Sequence, residues 1–161
     1  ERSLRCFYEQ GTWEDLLRLD RPTILSLKDD RGREHQAVLT RIVYPDRAEL
    51  AIGDLLYEFP LDEISEAWSG DFLLLWRPFS GTGEKLRPGM RGAGVRWLRE
   101  SLGGTGDPNE TDEYDSELKG MVRGFQRENG LDADGIAGPR TLIVLNSELK
   151  VPDTPFLSEG G

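Results

Sequence analysis

The sequence predicts an α+β protein in two parts, a strand-rich first half and a three-helix second half. Three observations carry this reading. Between residues 23 and 76 the apolar residues come in β-branched, alternating or continuous runs. After residue 90 they recur at the i, i+3, i+4, i+7 spacing of one helix face. Glycine divides the chain in the same place: Gly11, Gly32, Gly53 and Gly70 are the four in residues 1–80, and the other 15 of the 19 follow.

In the first half, Thr23–Leu27, Ala37–Tyr44, Arg47–Ile52 and Asp71–Trp76 read as strands, separated by turn material at Asp30–Gly32 and Pro45–Asp46. Two short helices are expected, Thr12–Leu19 and Leu61–Trp68, the second with Leu61, Ile64 and Trp68 on one face. Four or five strands with two short helices make a small α+β half-domain. The Pro, Gly and Ser of Arg77–Gly83 suit a compact linker.

In the second half, Val95, Leu98 and Leu102 share a face. Leu118, Met121, Val122 and Phe125 form a second stripe ending at Gly130, a C′ residue, and Leu142 and Leu145 mark a shorter third helix. The organisation expected is residues 1–80, then 81–147, then a tail over 148–161 that frays or wraps loosely.

Bulk properties narrow the function. A net charge of −10 argues against nucleic acid and anionic lipid as partners. The longest apolar run, Phe72–Trp76, is far too short to cross a membrane. The chain starts at Glu1 without Met and reads as a piece of a longer protein. With one cysteine, Cys6, no internal disulfide can form, and with one histidine, His35, no zinc-hydrolase ligand set can be assembled. Cys6 is open to three roles: nucleophile, outward-pairing thiol, or buried small apolar residue, the commonest fate of a lone cysteine. No metal and no cofactor are expected.

The segment Gly130–Leu142, GLDADGIAGPRTL, mimics a calcium loop, with Asp132, Asp134 and Gly135 at the spacing of an EF-hand centre. Gly130 and Thr141 would then stand at the first and twelfth loop positions, where the leading Asp and bidentate Glu belong. The segment reads better as a connector. Asp134–Gly135 makes a tight turn, Gly138 caps a helix, Pro139 opens it, and Thr141 at the third position is able to bond back to the cap.

Leu86-Arg-Pro-Gly-Met-Arg-Gly-Ala-Gly-Val-Arg-Trp-Leu98, then Val122-Arg-Gly-Phe-Gln-Arg-Glu-Asn-Gly-Leu131, then Asp134-Gly-Ile-Ala-Gly-Pro-Arg-Thr-Leu142, resemble the three motif blocks of the peptidoglycan-binding domain family, in order. The resemblance implies a three-helix fold and binding to the cell wall. Gly103–Tyr114 departs from the pattern as a polar loop. A candidate docking point is the third helix start, where the dipole's positive end and Arg140 could meet a peptide-stem carboxylate. Thr141, Gln126, Tyr114, Trp97 and Asp134 are the accompanying candidates. The plainer reading makes Gln126 and Thr141 caps and Trp97 a cover for the core.

Arg21–Leu27, Glu34–Leu39 and Tyr57–Leu75 resemble the papain-like peptidases that trim bacteriocin leaders. His35 matches that family's catalytic histidine and Asp54 lies near its orienting acid, without the family's Asp-Pro pair. Cys6 precedes His35 by 29 residues, with Phe7-Tyr-Glu-Gln after it in place of small residues. A degenerate, noncatalytic relative is therefore expected. The alternative is a wall-targeted cysteine peptidase using Cys6, His35 and Asp54.

Taken together, a truncated peptidase-like half followed directly by a peptidoglycan-binding domain resembles the periplasmic C-terminal region of the general secretion pathway A proteins. That family implies a periplasmic region of an inner-membrane protein, with an ATPase domain elsewhere in the chain. It also implies contact with peptidoglycan, a general secretion pathway B partner, and help in placing the outer-membrane secretin of type II secretion. A homo-oligomer is left open.

Overall fold

The computed structural model describes residues 4–79, 83, 85–104, 112–151 and 154–158. Parts of the linker, of the Gly103–Tyr114 loop and of the tail lie outside the described residues. The chain forms two compact units: Arg5–Trp76 together with the C-terminal tail, and Arg77–Val151 with the extreme N-terminus. The fold class is α+β, as expected.

The first unit is a six-stranded antiparallel sheet. Its strands are β1 (Arg5–Gln10), β2 (Thr23–Lys28), β3 (Glu34–Val43), β4 (Arg47–Ile52), β5 (Leu55–Pro60) and β6 (Trp68–Trp76), in the order β1-β6-β2-β3-β4-β5. β2 to β5 form a meander. Helix α2 (Leu61–Ala67) then carries the chain back so that β6 pairs with β2 and β1 pairs outside β6. One face packs Leu25, Leu39, Leu50, Phe72 and Leu74 against Leu16 and Leu19 of α1 (Trp13–Leu19) and Ile64 of α2, all essentially excluded from water. Thr12 caps α1 through a capping box with Asp15. Trp13 joins the two helices, its ring edge-on to Trp68 and its Nε1 donating to the Ser65 hydroxyl at 2.7 Å.

Two strands went unread in the sequence, β1 and β5. Both are edge strands, buried at most on one side, so neither carries the apolar density of a central strand. Pro60 is tolerated at the end of β5 because an edge position needs no ladder donor there.

A further difference lies in the tail. Residues 154–158 do not fray: Leu157 is buried to 1% exposure within the sheet unit, and its carbonyl accepts the Ile42 N–H at 3.1 Å.

The second unit has α3 (Ala93–Ser101), α4 (Ser116–Glu128) and α5 (Pro139–Glu148), enclosing Val95, Leu98, Leu118, Val122, Leu142 and Leu145. α4 ends in a Schellman motif. Gly130 takes φ 62°, its N–H donates to the Arg127 carbonyl at 3.2 Å, and the Leu131 N–H reaches the Gln126 carbonyl at 2.7 Å.

Candidate functional site

The motif residues of the helical unit converge on one braced loop between α4 and α5. Gly135 occupies φ 75°, and a Cβ there would stand 2.7 Å from the Lys119 side chain, so the turn requires glycine. Gln126 reaches into the loop from α4, only 2% exposed. Its Oε1 accepts the Gly135 N–H at 2.9 Å. Its Nε2 lies within donating distance of Asp134 Oδ1 (2.9 Å), the Ile136 carbonyl (3.0 Å) and Thr141 Oγ1 (3.2 Å). Asp134 Oδ1 also accepts the Ile136 N–H at 2.8 Å. From the other side the Tyr114 hydroxyl donates to the Gly135 carbonyl at 3.1 Å, with Tyr114 only 1% exposed. Burial, seconded by the charge of Asp134, pushes that hydroxyl well above the ordinary phenol range.

The first motif block is tied to the same loop. Leu86 and Ala137 exchange backbone hydrogen bonds at 2.9 Å each way, and Tyr114 bonds Gly89 and Met90 through its backbone. Arg91 pairs with Glu113 across a short bridge. The motif glycines and polar residues thus shape the backbone.

The Tyr114 and Gln126 side chains are buried and hydrogen-bonded within the loop, which they brace. Thr141, also buried, bonds Gln126 and does not return a bond to the Gly138 cap. Asp134 is exposed, but one of its oxygens is committed to the loop. Trp97 is half-buried and stacks on Phe79, centroids 4.6 Å apart and planes 5° from parallel. Arg140 is half-buried at the second position of α5. Gly138 lends that helix no side-chain cap, so the positive end of its dipole is not covered by a cap oxygen.

Sequence reasoning missed Arg99. Its guanidinium, 4% exposed, holds the start of α4 to α3, with Asp115 Oδ1 at 2.9 Å, the Glu113 carbonyl at 3.2 Å and Glu117 Oε2 at 3.4 Å. The signal was faint, an arginine beside the apolar stripe of Val95, Leu98 and Leu102. Asp115 caps α4 through the Leu118 N–H at 2.9 Å; that bond, then Arg99, lowers its carboxyl below the usual range.

In the sheet unit, Cys6, His35 and Asp54 are not brought together. Cys6 is exposed on β1, which corrects the buried reading, and His35 lies on β3. Two strands, β6 and β2, separate them, about 14 Å across the sheet at the usual strand spacing, and they are also offset along it, Cys6 lying opposite Leu75 and His35 in line with Trp68. Register also assigns them to opposite faces: Cys6 aligns with exposed Leu75, while His35 shares the parity of buried Ala37 and Leu39. Asp54 sits in the β4–β5 turn. The acid beside His35 is Asp29, whose Oδ2 lies 3.1 Å from His35 Nε2. Asp29 also accepts the Arg31 and Arg33 N–H groups at 2.9 Å each, closing the β2–β3 hairpin. The Arg33 N–H first, then His35, holds its carboxyl far below the usual range. Asp29 and His35 flank the turn read from the sequence, so this pairing was available to notice. Among the described residues no cluster of three or more His, Cys, Asp or Glu could hold a metal ion.

The comparisons with known proteins agree with this geometry. Residues 91–145 match the family model described as putative peptidoglycan binding domain. The class defined is a small antiparallel α+β unit joined to a three-helix domain of that type. More particularly, the chain is similar to General secretion pathway protein A of Aeromonas hydrophila, 34% identical over 145 residues, which are 89% of this chain and 26% of that protein. It is also similar to the periplasmic domain of the EpsAB fusion protein of the Vibrio vulnificus type II secretion system. Identity there is 31% and the TM-score 0.55, over 89% of this chain and 64% of that one. The resemblance to the general secretion pathway A proteins is thereby borne out, for a chain spanning about a quarter of the curated relative's length. A third likeness is to the N-terminal peptidase C39 like domain of a Vibrio parahaemolyticus toxin secretion ATP-binding protein. It has 24% identity and a TM-score of 0.39 over 46% of this chain, and at that score it carries no argument.

Proposed function

We propose that this chain is a noncatalytic periplasmic region of a type II secretion assembly protein, one that binds peptidoglycan and serves as a scaffold. In this reading it helps place or assemble the outer-membrane secretin through the cell wall, acting with a general secretion pathway B partner. The remainder of such a protein would carry a separate ATPase domain and an inner-membrane anchor. The observation that carries the reading is the family match over residues 91–145, within a chain 34% identical to a general secretion pathway protein A over 89% of its length. The separation of Cys6 from His35 supports the noncatalytic part.

The proposed contact is the start of α5. There the helix dipole and Arg140 offer positive charge to a peptide-stem carboxylate, with Trp97 and Asp134 as accompanying contacts. The buried residues Gln126, Tyr114 and Thr141 contribute by holding the loop that presents this helix end.

Co-sedimentation with purified sacculi tests the proposal. Wild-type chain should pellet with sacculi in a saturable way, and Arg140→Ala should weaken that binding by about tenfold, the worth of a charge-assisted hydrogen bond. Failure of the wild type to pellet would sink wall binding itself. Equal binding by the variant would move the contact elsewhere on the unit.

A further inference from the structure

β3 is longer than the strand beside it. β2 pairs with β3 only as far as Thr23 opposite Leu39, so Thr40–Val43 overhang the end of β2 with β4 on their other side. An overhanging strand presents ladder groups that a central strand would have paired. The tail fills this place, the Ile42 N–H donating to the Leu157 carbonyl at 3.1 Å.

Three further contacts surround that bond, and each reads a different side chain. Leu157 is buried to 1% exposure. The Arg21 guanidinium lies over the Phe156 ring, 4.6 Å from its centroid. The Asp20 carboxylate accepts both the Ser158 N–H at 2.9 Å and the Ser158 hydroxyl at 2.8 Å. Asp20 and Arg21 are odd choices for α1 on its own. Asp20 is the C-cap in a left-handed conformation, φ 51°, where a negative charge meets the negative end of the helix dipole. Arg21 is almost fully buried, its described hydrogen bond running to the Asp20 carbonyl, and burial lowers its guanidinium to about 10. Both choices make sense as the walls of a socket.

We propose that Asp20, Arg21 and the overhanging end of β3 form a peptide socket on the sheet unit for a Phe-Leu-Ser segment. The chain's own tail, residues 156–158, occupies it as a detachable latch. Detachment is expected because the Ser158 bonds are solvent-exposed and the segment is short. The one buried leucine and one cation–π contact are offset by the entropy of ordering five residues.

Amide exchange in the 161-residue chain tests this. In Leu157→Asp the Ile42 amide should exchange at least ~10-fold faster than in wild type, while Leu25 and Leu74 amides keep their protection. Asp20→Ala should give a smaller change of the same kind. A synthetic peptide of residues 152–161 added to Leu157→Asp should restore slow exchange at Ile42, and should fail to do so in Leu157→Asp combined with Asp20→Ala. Unchanged Ile42 exchange in Leu157→Asp would overturn the socket. Global loss of protection in that variant would overturn the latch, making the tail part of the core. Protection of Ile42 only in a concentration-dependent dimer would replace the chain's own tail with that of a second copy.

Discussion

Gln126 Oε1 accepts the Gly135 N–H at 2.9 Å, joining the last turn of α4 to the turn at Asp134–Gly135. A primary amide suits this position because it offers donors and an acceptor on one planar group. Glutamate would lose the donors and place a second carboxylate beside Asp134, and alanine would leave buried loop groups without partners.

Gln126→Ala is therefore expected to destabilise the helical unit by about 2–4 kcal/mol, from unsatisfied buried groups, and Gln126→Glu by at least as much. Denaturant unfolding measures both. Sacculus binding by whatever fraction stays folded should be close to wild type, because Gln126 faces the loop. Lost binding in a variant of undiminished stability would restore Gln126 as a ligand contact.

Tyr114 makes the alkaline limit specific. Its hydroxyl is held protonated above the ordinary phenol value of about 10. Its contribution to stability is thus intact below pH ~10 and is lost as pH rises from there toward the folded value. Thermal unfolding of wild type should fall more steeply above pH ~10 than that of Tyr114→Phe. At neutral pH the variant should be weaker by about 1–3 kcal/mol through the unpaired Gly135 carbonyl. Parallel alkaline profiles for the two proteins would contradict this.

Asp115 works in the opposite direction. Its carboxyl is lowered by the Leu118 N–H and by Arg99, so its stabilisation is present above the unfolded value of about 4 and disappears as pH falls through the lower folded value. Asp115→Asn keeps a capping oxygen and loses the charge. It should flatten the acid side of the stability profile below pH ~4, whereas Asp115→Ala should cost about 1 kcal/mol at neutral pH from loss of the cap.

For the sheet unit, iodoacetamide should alkylate Cys6 at the rate of an exposed, unassisted thiol, and His35→Ala should leave that rate within about twofold. A rate that is fast at neutral pH and drops on replacing His35 would revive the peptidase alternative.

How much of this was legible in the sequence differs between the units. The helical unit was read almost completely, because its signals are local: apolar stripes at helical spacing, Gly130 at a helix end, Gly135 in a turn, Pro139 opening a helix. The roles of Tyr114, Gln126 and Thr141 were not, since a polar residue in a motif looks the same whether it faces a ligand or braces a loop. In the sheet unit the central strands were legible from their apolar runs. β1 and β5 were not, because edge strands carry weaker patterns, and the crossover that sets β6 between β1 and β2 leaves no trace in spacing.

By itself, the sequence determined the α+β class, a strand-rich half followed by a helical half, the helix ends and the likeness to the general secretion pathway A proteins. These rest on periodicity, backbone-constrained residues and motif order, all properties of short stretches. Only the tertiary structure decided that Cys6 and His35 stand two strands and one sheet face apart, that His35 meets Asp29, and that Leu157 closes the overhang of β3. Each of these depends on strand order or on contacts between residues distant in the chain, which long-range packing fixes.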